Sequence, residues 1–325
     1  MGMRPLLLPF KLAVSGALIA VVFRNIDLDS FADRFAGQSR VWLVAAAIVT
    51  MAQILLAALR WDQIIKGLGA TVPREAVMRV TYIGTFFNSW LLGNIGGDIA
   101  RAMLAPEGGI GRIRIIYSVL FDRVVTLAGL AFVILPIIAL NLGPLARSVP
   151  VFASLAVAAL PFIGLSAIAL LAPVISGRAP AAMARIRELG LTWRLLCQAP
   201  VRLGAALAIA AASQIAIPAV AYGLARAQHL DVSFLDFLIL IPPVVLLSAL
   251  PISIGGWGVR ENAMIIALAP IGVASGSALL IAVQLALLAN LLSLPGGILW
   301  LAHHGLKRAP PAVAPCPAQQ PVPSP

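Results

Sequence analysis

The sequence predicts an all-α, polytopic bundle of transmembrane helices. Of its 325 residues, 61% are apolar and 11% are charged, whereas soluble proteins average about 45–50% and about 25%. So few charges cannot cover a water-soluble surface, which excludes a soluble globular enzyme, a disordered chain and a disulfide-rich secreted domain. The number of long apolar stretches predicts about seven to eight spans. Two glycine-broken, charged segments interrupt this pattern.

The apolar stretches follow one another along most of the chain. The first, Leu6–Phe23, is predicted to be an uncleaved span because no clear cleavage site follows it. The later spans are predicted at Val41–Leu59, Ile115–Leu142, Pro150–Val174, Leu203–Ala225, Phe234–Leu250 and Ile271–Ala302. Residues 1–305 therefore form one membrane domain, and residues 306–325 are expected to be a disordered, proline-rich cytoplasmic tail.

Two further segments are apolar on average but contain glycines and charges. They are Val80–Ala105 and Pro251–Pro270. Irregular backbone at membrane depth must face protein or a wet cavity. Two arms of about 12 residues would each be about 18 Å long, roughly half a bilayer. We therefore expect re-entrant hairpins or broken helices here.

Basic residues give the expected orientation. The net charge is +11, which in this apolar chain indicates basic cytoplasmic loops and anionic lipids and not nucleic acid. Ser176–Arg202 alternates arginines with large apolar residues, which predicts a helix lying on the membrane surface. Most basic residues fall on one side if the N-terminus is cytoplasmic and Val80–Ala105 re-enters from that side.

One short motif occurs twice, separated by about half the chain. Ile95–Arg101 and Ile254–Arg260 both read Ile-Gly-Gly-x-x-x-Arg. Corresponding broken segments in two halves are typical of transporter binding sites and suggest an internal pseudo-repeat. The alternative is coincidence in a chain rich in these residues.

The motif suits anion binding. A Gly-Gly pair lets a new helix begin, and its first N–H groups carry partial positive charge. An arginine one turn later adds a full charge and a bidentate fork. The candidate binding residues are polar, charged or glycine: Asn88, Asn94, Gly96, Gly97, Asp98, Arg101, Asp122, Arg123, Gly255, Gly256, Arg260 and Glu261.

Six of these residues have ionisable side chains in membrane segments. Inserting one such side chain near the centre of a membrane helix costs about 2.5–3.5 kcal/mol. Asp98 and Glu261 are expected to hold the motif arginines, and the two half-helices to face each other. The alternative to anion binding is a salt-bridge cluster whose role is only structural, to fix helix packing. The two cysteines, Cys197 and Cys316, cannot form a metal cluster by themselves. We expect no metal site and no cofactor.

The run from Asn88 to Arg101 resembles the N-x-x-x-P-G-x-x-G-G-D-x-x-R signature of the flippase-like transmembrane region of lysylphosphatidylglycerol synthases, although Gly93-Asn94 replaces Pro-Gly. The run from Leu250 to Glu261 resembles its second signature, L-P-x-S-x-G-G-x-G-x-R-E. Asp122-Arg123 is similar to a pair that the family carries in the intervening span. The resemblance covers about residues 5–305.

The resemblance implies translocation of an anionic phospholipid or polyprenyl-phosphate-linked lipid across a bacterial cytoplasmic membrane. We expect no aminoacyl transfer, because the tail is too short for that domain. No P-loop is present, so transport would be independent of ATP. Two other hypotheses stay open: a membrane enzyme using Asp98, Asp122 or Glu261, and an accessory scaffold for a lipid- or glycan-modifying enzyme. Expected partners are lipids, a partner membrane enzyme or a second copy of the chain.

Overall fold

The computed structural model describes residues 37–90, 95–140, 149–174, 180–249 and 256–308. Every regular element in these ranges is a helix. The first five helices are α1 (Arg40–Gly67), α2 (Arg74–Trp90), α3 (Gly96–Leu104), α4 (Arg112–Ala139) and α5 (Val149–Leu171). The others are α6 (Ala181–Cys197), α7 (Pro200–Ala227), α8 (Phe234–Ser248), α9 (Val259–Leu268) and α10 (Ser275–Arg308). The predicted span Leu6–Phe23, the site residues Asn94 and Gly255, and residues 309–325 lie outside the described residues.

Among the described residues, five helices are long and apolar enough to cross a membrane: α1, α4, α5 with its following turn, α7 and α10. Four of these spans, α1, α4, α7 and the part of α10 from Ser275 to Ala302, have 28 residues, which corresponds to about 42 Å of helix and exceeds the hydrocarbon core of about 30 Å. Large apolar side chains point outward, as at Ile48, Leu160 and Ile298, which are 64%, 64% and 68% exposed. The chain is thus a multi-pass helical membrane protein, as the composition predicts.

The two ends of the bundle differ in charge. Helices α1 and α7 pack antiparallel, since the Ser39 N–H donates to the Ala227 carbonyl (2.9 Å) while Gly67 lies beside Arg202. We call the end with Lys66, Arg74, Arg112 and Arg202 the basic end and the end with Ser39 and Ala227 the opposite end. Helix α6 lies at the basic end, where its buried Trp193 contacts Phe121 of α4 and Phe162 of α5.

Helices α2 and α3 form a hairpin that enters and leaves at the basic end. The Thr71 N–H, just before α2, donates to the Gly108 carbonyl, just after α3 (2.9 Å). Helix α2 also packs on α10, where the Tyr82 hydroxyl donates to the Leu292 carbonyl (2.6 Å). This geometry agrees with the re-entrant interpretation of Val80–Ala105, although α2 begins earlier, at Arg74.

Helices α8 and α9 form a second hairpin, which starts from the opposite end. Phe237 of α8 and Leu268 of α9 lie in one buried cluster with Leu224, near the end of α7. The predicted span Phe234–Leu250 is shorter than expected: α8 has 15 residues, about 22 Å of helix, and α9 packs back against it. An apolar run has the same composition whether it crosses lipid or is buried in a hairpin, so composition alone could not separate these cases.

Candidate functional site

The centre of the site is the Asp122 carboxylate on α4, which is 1% exposed. Arg60 of α1 donates to it from Nε (2.7 Å) and from Nη2 (3.3 Å). Arg101 of α3 donates from Nη1 to Oδ2 (2.9 Å). One buried carboxylate therefore binds arginines from two other helices, and it ties the first hairpin to α1 and α4.

Arg101 is 6% exposed, and its guanidinium lies over the Trp61 ring, 4.2 Å from the ring centroid. The Trp61 indole is itself fixed by donating to the Ser118 hydroxyl (3.0 Å). Within the described part of the chain, the buried Nε and Nη2 of Arg101 have no hydrogen-bond partner. Arg101 is therefore held on one edge and on one face, and two of its nitrogens still have donor capacity.

Asp98 of α3 forms a second ion pair with Arg123 of α4. Arg123 donates from Nε to Oδ2 (2.7 Å) and from Nη2 to Oδ1 (2.9 Å), a bidentate geometry. The Asp98 carboxylate is 3.8 Å from Nη1 of Arg101, a longer contact than the one it makes with Arg123. Asp122 and Arg123 thus face different partners, as neighbours about 100° apart on a helix must.

The start of α3 is closed by protein groups. The Asn88 side chain accepts a hydrogen bond from the Gly97 N–H (2.7 Å). A Cβ atom at Gly97 would overlap the carbonyl oxygen of Gly84 on α2. Gly96 is also buried. Gly97 therefore provides close packing within the hairpin, and its N–H is already bound by Asn88.

The second motif has its own local network. Gly256 and Gly258 adopt positive φ angles of 78° and 82°. The Glu261 carboxylate, on a residue that is 3% exposed, accepts from the Gly258 N–H (2.5 Å) and from Nη2 of Arg260 (3.0 Å). Arg260 lies over the Trp257 ring at 5.3 Å. Glu261 thus holds Arg260 as the sequence suggested, whereas the idea that the two motifs face each other stays a prediction.

Sequence reasoning missed three residues of the first site: Arg60, Trp61 and Gly84. Arg60 and Trp61 directly follow the predicted span Val41–Leu59. A usable signal was present: Ala58 follows Ile54 by four residues and Trp61 follows Ala58 by three, so all three share one buried helix face.

The charges of the first site favour an anion over a cation. Three guanidinium groups, of Arg60, Arg101 and Arg123, face two carboxylates, of Asp98 and Asp122, which leaves one net positive charge. Among the described residues, no group of three His, Cys, Asp or Glu side chains could hold a metal ion. We name these five residues with Trp61 the arginine cluster.

Comparison with known families gives one match over most of the chain. The family model of the lysylphosphatidylglycerol synthase TM region matches residues 9–296. A search of curated proteins finds no match. The matched range includes both hairpins and the whole arginine cluster. The chain therefore belongs to the lysylphosphatidylglycerol synthase TM region family, a family of membrane proteins with a lipid-related function.

Proposed function

We propose that this protein binds the head group of an anionic lipid at Arg101 and translocates that lipid across the membrane without ATP. The lipid class is a phospholipid or a polyprenyl-phosphate-linked lipid. The membrane is the bacterial cytoplasmic membrane, with the N-terminus and the basic end on the cytoplasmic side. The family membership and the charge of the arginine cluster support this proposal.

The observation that carries the proposal is the unpaired donor capacity of Arg101. Its buried Nε and Nη2 have no partner among the residues described. A buried donor without a partner costs about 1–3 kcal/mol, and more when the group is charged. A phosphate oxygen would recover this energy, because a guanidinium presents its N–H groups in a fork that matches phosphate geometry.

The surroundings of Arg101 suit an anion that arrives and leaves. Asp122 binds only one edge of the guanidinium, and the Trp61 ring covers one face. This support fixes the direction of the remaining N–H groups before a ligand is present. In addition, the arginine cluster keeps one net positive charge, which attracts a phosphate at low local dielectric.

The two hairpins give the proposed path. The α2–α3 hairpin enters from the basic end, and the α8–α9 hairpin starts from the opposite end. Each carries an arginine over a tryptophan ring. Half-helices that reach toward the middle from both sides are typical of transporters. We propose that the head group moves from Arg101 toward Arg260 while the acyl chains stay in lipid.

The test is a flipping assay with purified protein in liposomes that contain a fluorescent phosphatidylglycerol. We expect Arg101→Gln to slow flipping by at least about tenfold, since loss of one partner of a buried charged contact costs about 2–5 kcal/mol. Arg101→Lys keeps the charge but loses the fork, and it should slow flipping less. The matched control is Arg202→Gln, which removes an exposed arginine at the basic end and should flip at the wild-type rate.

Folding of each variant is checked by its elution as a single species and by its melting temperature. The proposal would be contradicted if the Arg101→Gln and Arg101→Lys proteins were both folded and both flipped lipid at the wild-type rate. Product formed from the lipid without flipping would instead favour the enzyme hypothesis. Mass spectrometry of lipids that co-purify with wild-type but not with Arg101→Gln protein would identify the head group.

A further inference from the structure

The outer face of α3 is apolar and exposed. Ile95, just before α3, and Ile99 and Met103 within it follow one another at a spacing of four residues and are 61%, 49% and 71% exposed. The opposite face of the same helix carries the buried Arg101. A helix nine residues long therefore presents an apolar stripe outward and an arginine inward.

The adjoining face of α4 continues this surface. Ile116 and Leu120 are 44% and 46% exposed, and Arg123 follows on the same face three residues later. The ion pair between Asp98 and Arg123 lies at the boundary between the two apolar faces, and its side chains are 22% and 44% exposed. We call the five apolar residues Ile95, Ile99, Met103, Ile116 and Leu120 the lateral stripe.

A half-exposed ion pair within an apolar outer surface is costly in lipid, because charged groups there lose their hydration. Ala105 lies at the basic end of the hairpin. Asp98 precedes it by seven residues and is therefore about 10 Å of helix deeper in the bundle. Behind the pair, the Asp98 carboxylate is 3.8 Å from Arg101. The Asp98–Arg123 pair thus connects the lateral stripe to the Arg101 guanidinium.

We propose that the Asp98–Arg123 pair is a lateral gate, through which the anionic lipid enters directly from the bilayer. Its acyl chains lie along the lateral stripe. Its phosphate displaces the Asp98 carboxylate from Arg123, which exchanges one charged partner for another, and then reaches Arg101. This inference rests on the proposed function and adds the side of the bundle on which the lipid binds.

Charge complementarity selects the occupant of the lateral stripe. An apolar protein surface could equally bury a second copy of the chain, but such a partner would have to cover the guanidinium of Arg123. An anionic lipid supplies both parts at once, since its phosphate pairs with Arg123 and its chains cover Ile99 and Leu120. A zwitterionic lipid also has a phosphate, but its positive group would approach the net positive arginine cluster.

The experiment is photo-crosslinking from the full-length protein in vesicles of equal parts phosphatidylcholine and phosphatidylglycerol. Benzoylphenylalanine replaces Leu120 in one sample and Ile298 in the control, because Ile298 is 68% exposed on α10, which packs on α2. Each lipid carries radiolabelled acyl chains in turn. We expect the ratio of phosphatidylglycerol to phosphatidylcholine adducts to be about fivefold higher at Leu120 than at Ile298. Adding Arg123→Gln should return this ratio to that of Ile298.

Equal adduct ratios at Leu120 and Ile298 would overturn the gate, as would enrichment that persists in Arg123→Gln. Adducts of Leu120 with a second chain, or with a peptide from Leu6–Phe23, would overturn it too, because the stripe would then be a protein interface. These failures are distinct from failure of the proposed function. If only the gate is wrong, Arg101→Gln still slows flipping while the adduct ratios are equal.

Discussion

The two hairpins share a sequence motif but satisfy its charges in different ways. In the α2–α3 hairpin, Arg101 reaches across to Asp122 on α4, which also binds Arg60 of α1. In the α8–α9 hairpin, Arg260 pairs with its own neighbour Glu261, and the same carboxylate closes the start of α9. The first network joins three helices, whereas the second is local. Identical motif letters therefore do not make two equivalent half-sites.

The glycines of the two motifs also differ in their roles. Gly97 allows α3 to touch α2, since any side chain would meet the Gly84 carbonyl. Gly256 instead adopts a positive φ of 78°, which L-residues rarely adopt. One glycine is needed for space and the other for backbone conformation. Substitutions at matched positions can separate these roles.

The largest difference is expected between Asp122→Asn and Glu261→Gln. Removing the Asp122 charge leaves two buried arginines without their counter-ion, and we expect a loss of about 3–5 kcal/mol in the free energy of unfolding. Glu261→Gln keeps an acceptor for the Gly258 N–H and affects one arginine, so we expect a loss of about 1 kcal/mol. Unfolding in mixed micelles titrated with sodium dodecyl sulfate measures both values.

The control is Glu107→Gln, which neutralises a half-exposed carboxylate paired with Arg112 at the basic end. Such pairs contribute about 0–1 kcal/mol, so this variant should unfold almost like the wild type. Equal losses for Asp122→Asn and Glu261→Gln would show that the two networks carry similar weight, against the difference described above.

The next largest effects are expected from alanine substitutions, which should distinguish the packing role of Gly97 from the conformational role of Gly256. We expect Gly97→Ala to cost about 1–3 kcal/mol because α2 and α3 must move apart, and Gly256→Ala to cost about 1–2 kcal/mol because of its backbone conformation. Gly97→Ala should also slow flipping, since it displaces Arg101. The control is Gly204→Ala in α7, where no atom lies within 4 Å of an added Cβ. A Gly97→Ala protein with wild-type stability and flipping would contradict the packing role.

The last prediction concerns topology and not stability: labelling of Cys197 tests which side of the membrane each hairpin enters from. Cys197 is exposed on α6 at the basic end. In a Cys316→Ser background we expect a membrane-impermeant maleimide to reach Cys197 only from the cytoplasmic side. The reaction should speed up as the pH rises above 7, because partial burial raises the pKa of the Cys197 thiol and leaves little thiolate at neutral pH.

The second site for labelling is Asp231→Cys, placed at the opposite end in a chain without other cysteines. It should react from the other side of the membrane. Labelling of both positions from the same side would contradict the arrangement of two hairpins that enter from opposite ends.

Composition and patterning were sufficient to predict the helical membrane bundle and the break in Val80–Ala105. Glycines and charges inside an apolar run are incompatible with a simple span, so a re-entrant hairpin or a broken helix is expected there. They were not sufficient for α8. The composition of the run from Phe234 to Ser248 does not show whether it crosses the membrane or forms one arm of a hairpin, because burial in protein and burial in lipid favour the same side chains.

The site was predictable in its residue types but not in its pairing. Asp98, Arg101, Asp122 and Arg123, all charged residues within predicted membrane segments, belong to the arginine cluster. Which acid binds which arginine depends on distances between helices that sequence spacing does not give. Arg60 was missed for the same reason, since an arginine at the end of a span is ordinarily interfacial and only the packing of α1 on α4 buries it.

The shared role of Asp122 also has a consequence for how the protein is made. Arg60 and Arg101 both precede Asp122 in the chain, so both arginines leave the ribosome before their common counter-ion exists. An unpaired arginine at the centre of a membrane costs about 2.5–3.5 kcal/mol. Helix α3 is therefore expected to stay at the membrane surface until α4 has been synthesised and inserted. Glu261 follows Arg260 immediately, so the second hairpin needs no such wait, and we expect Asp122 to set the order of assembly in the first half of the protein.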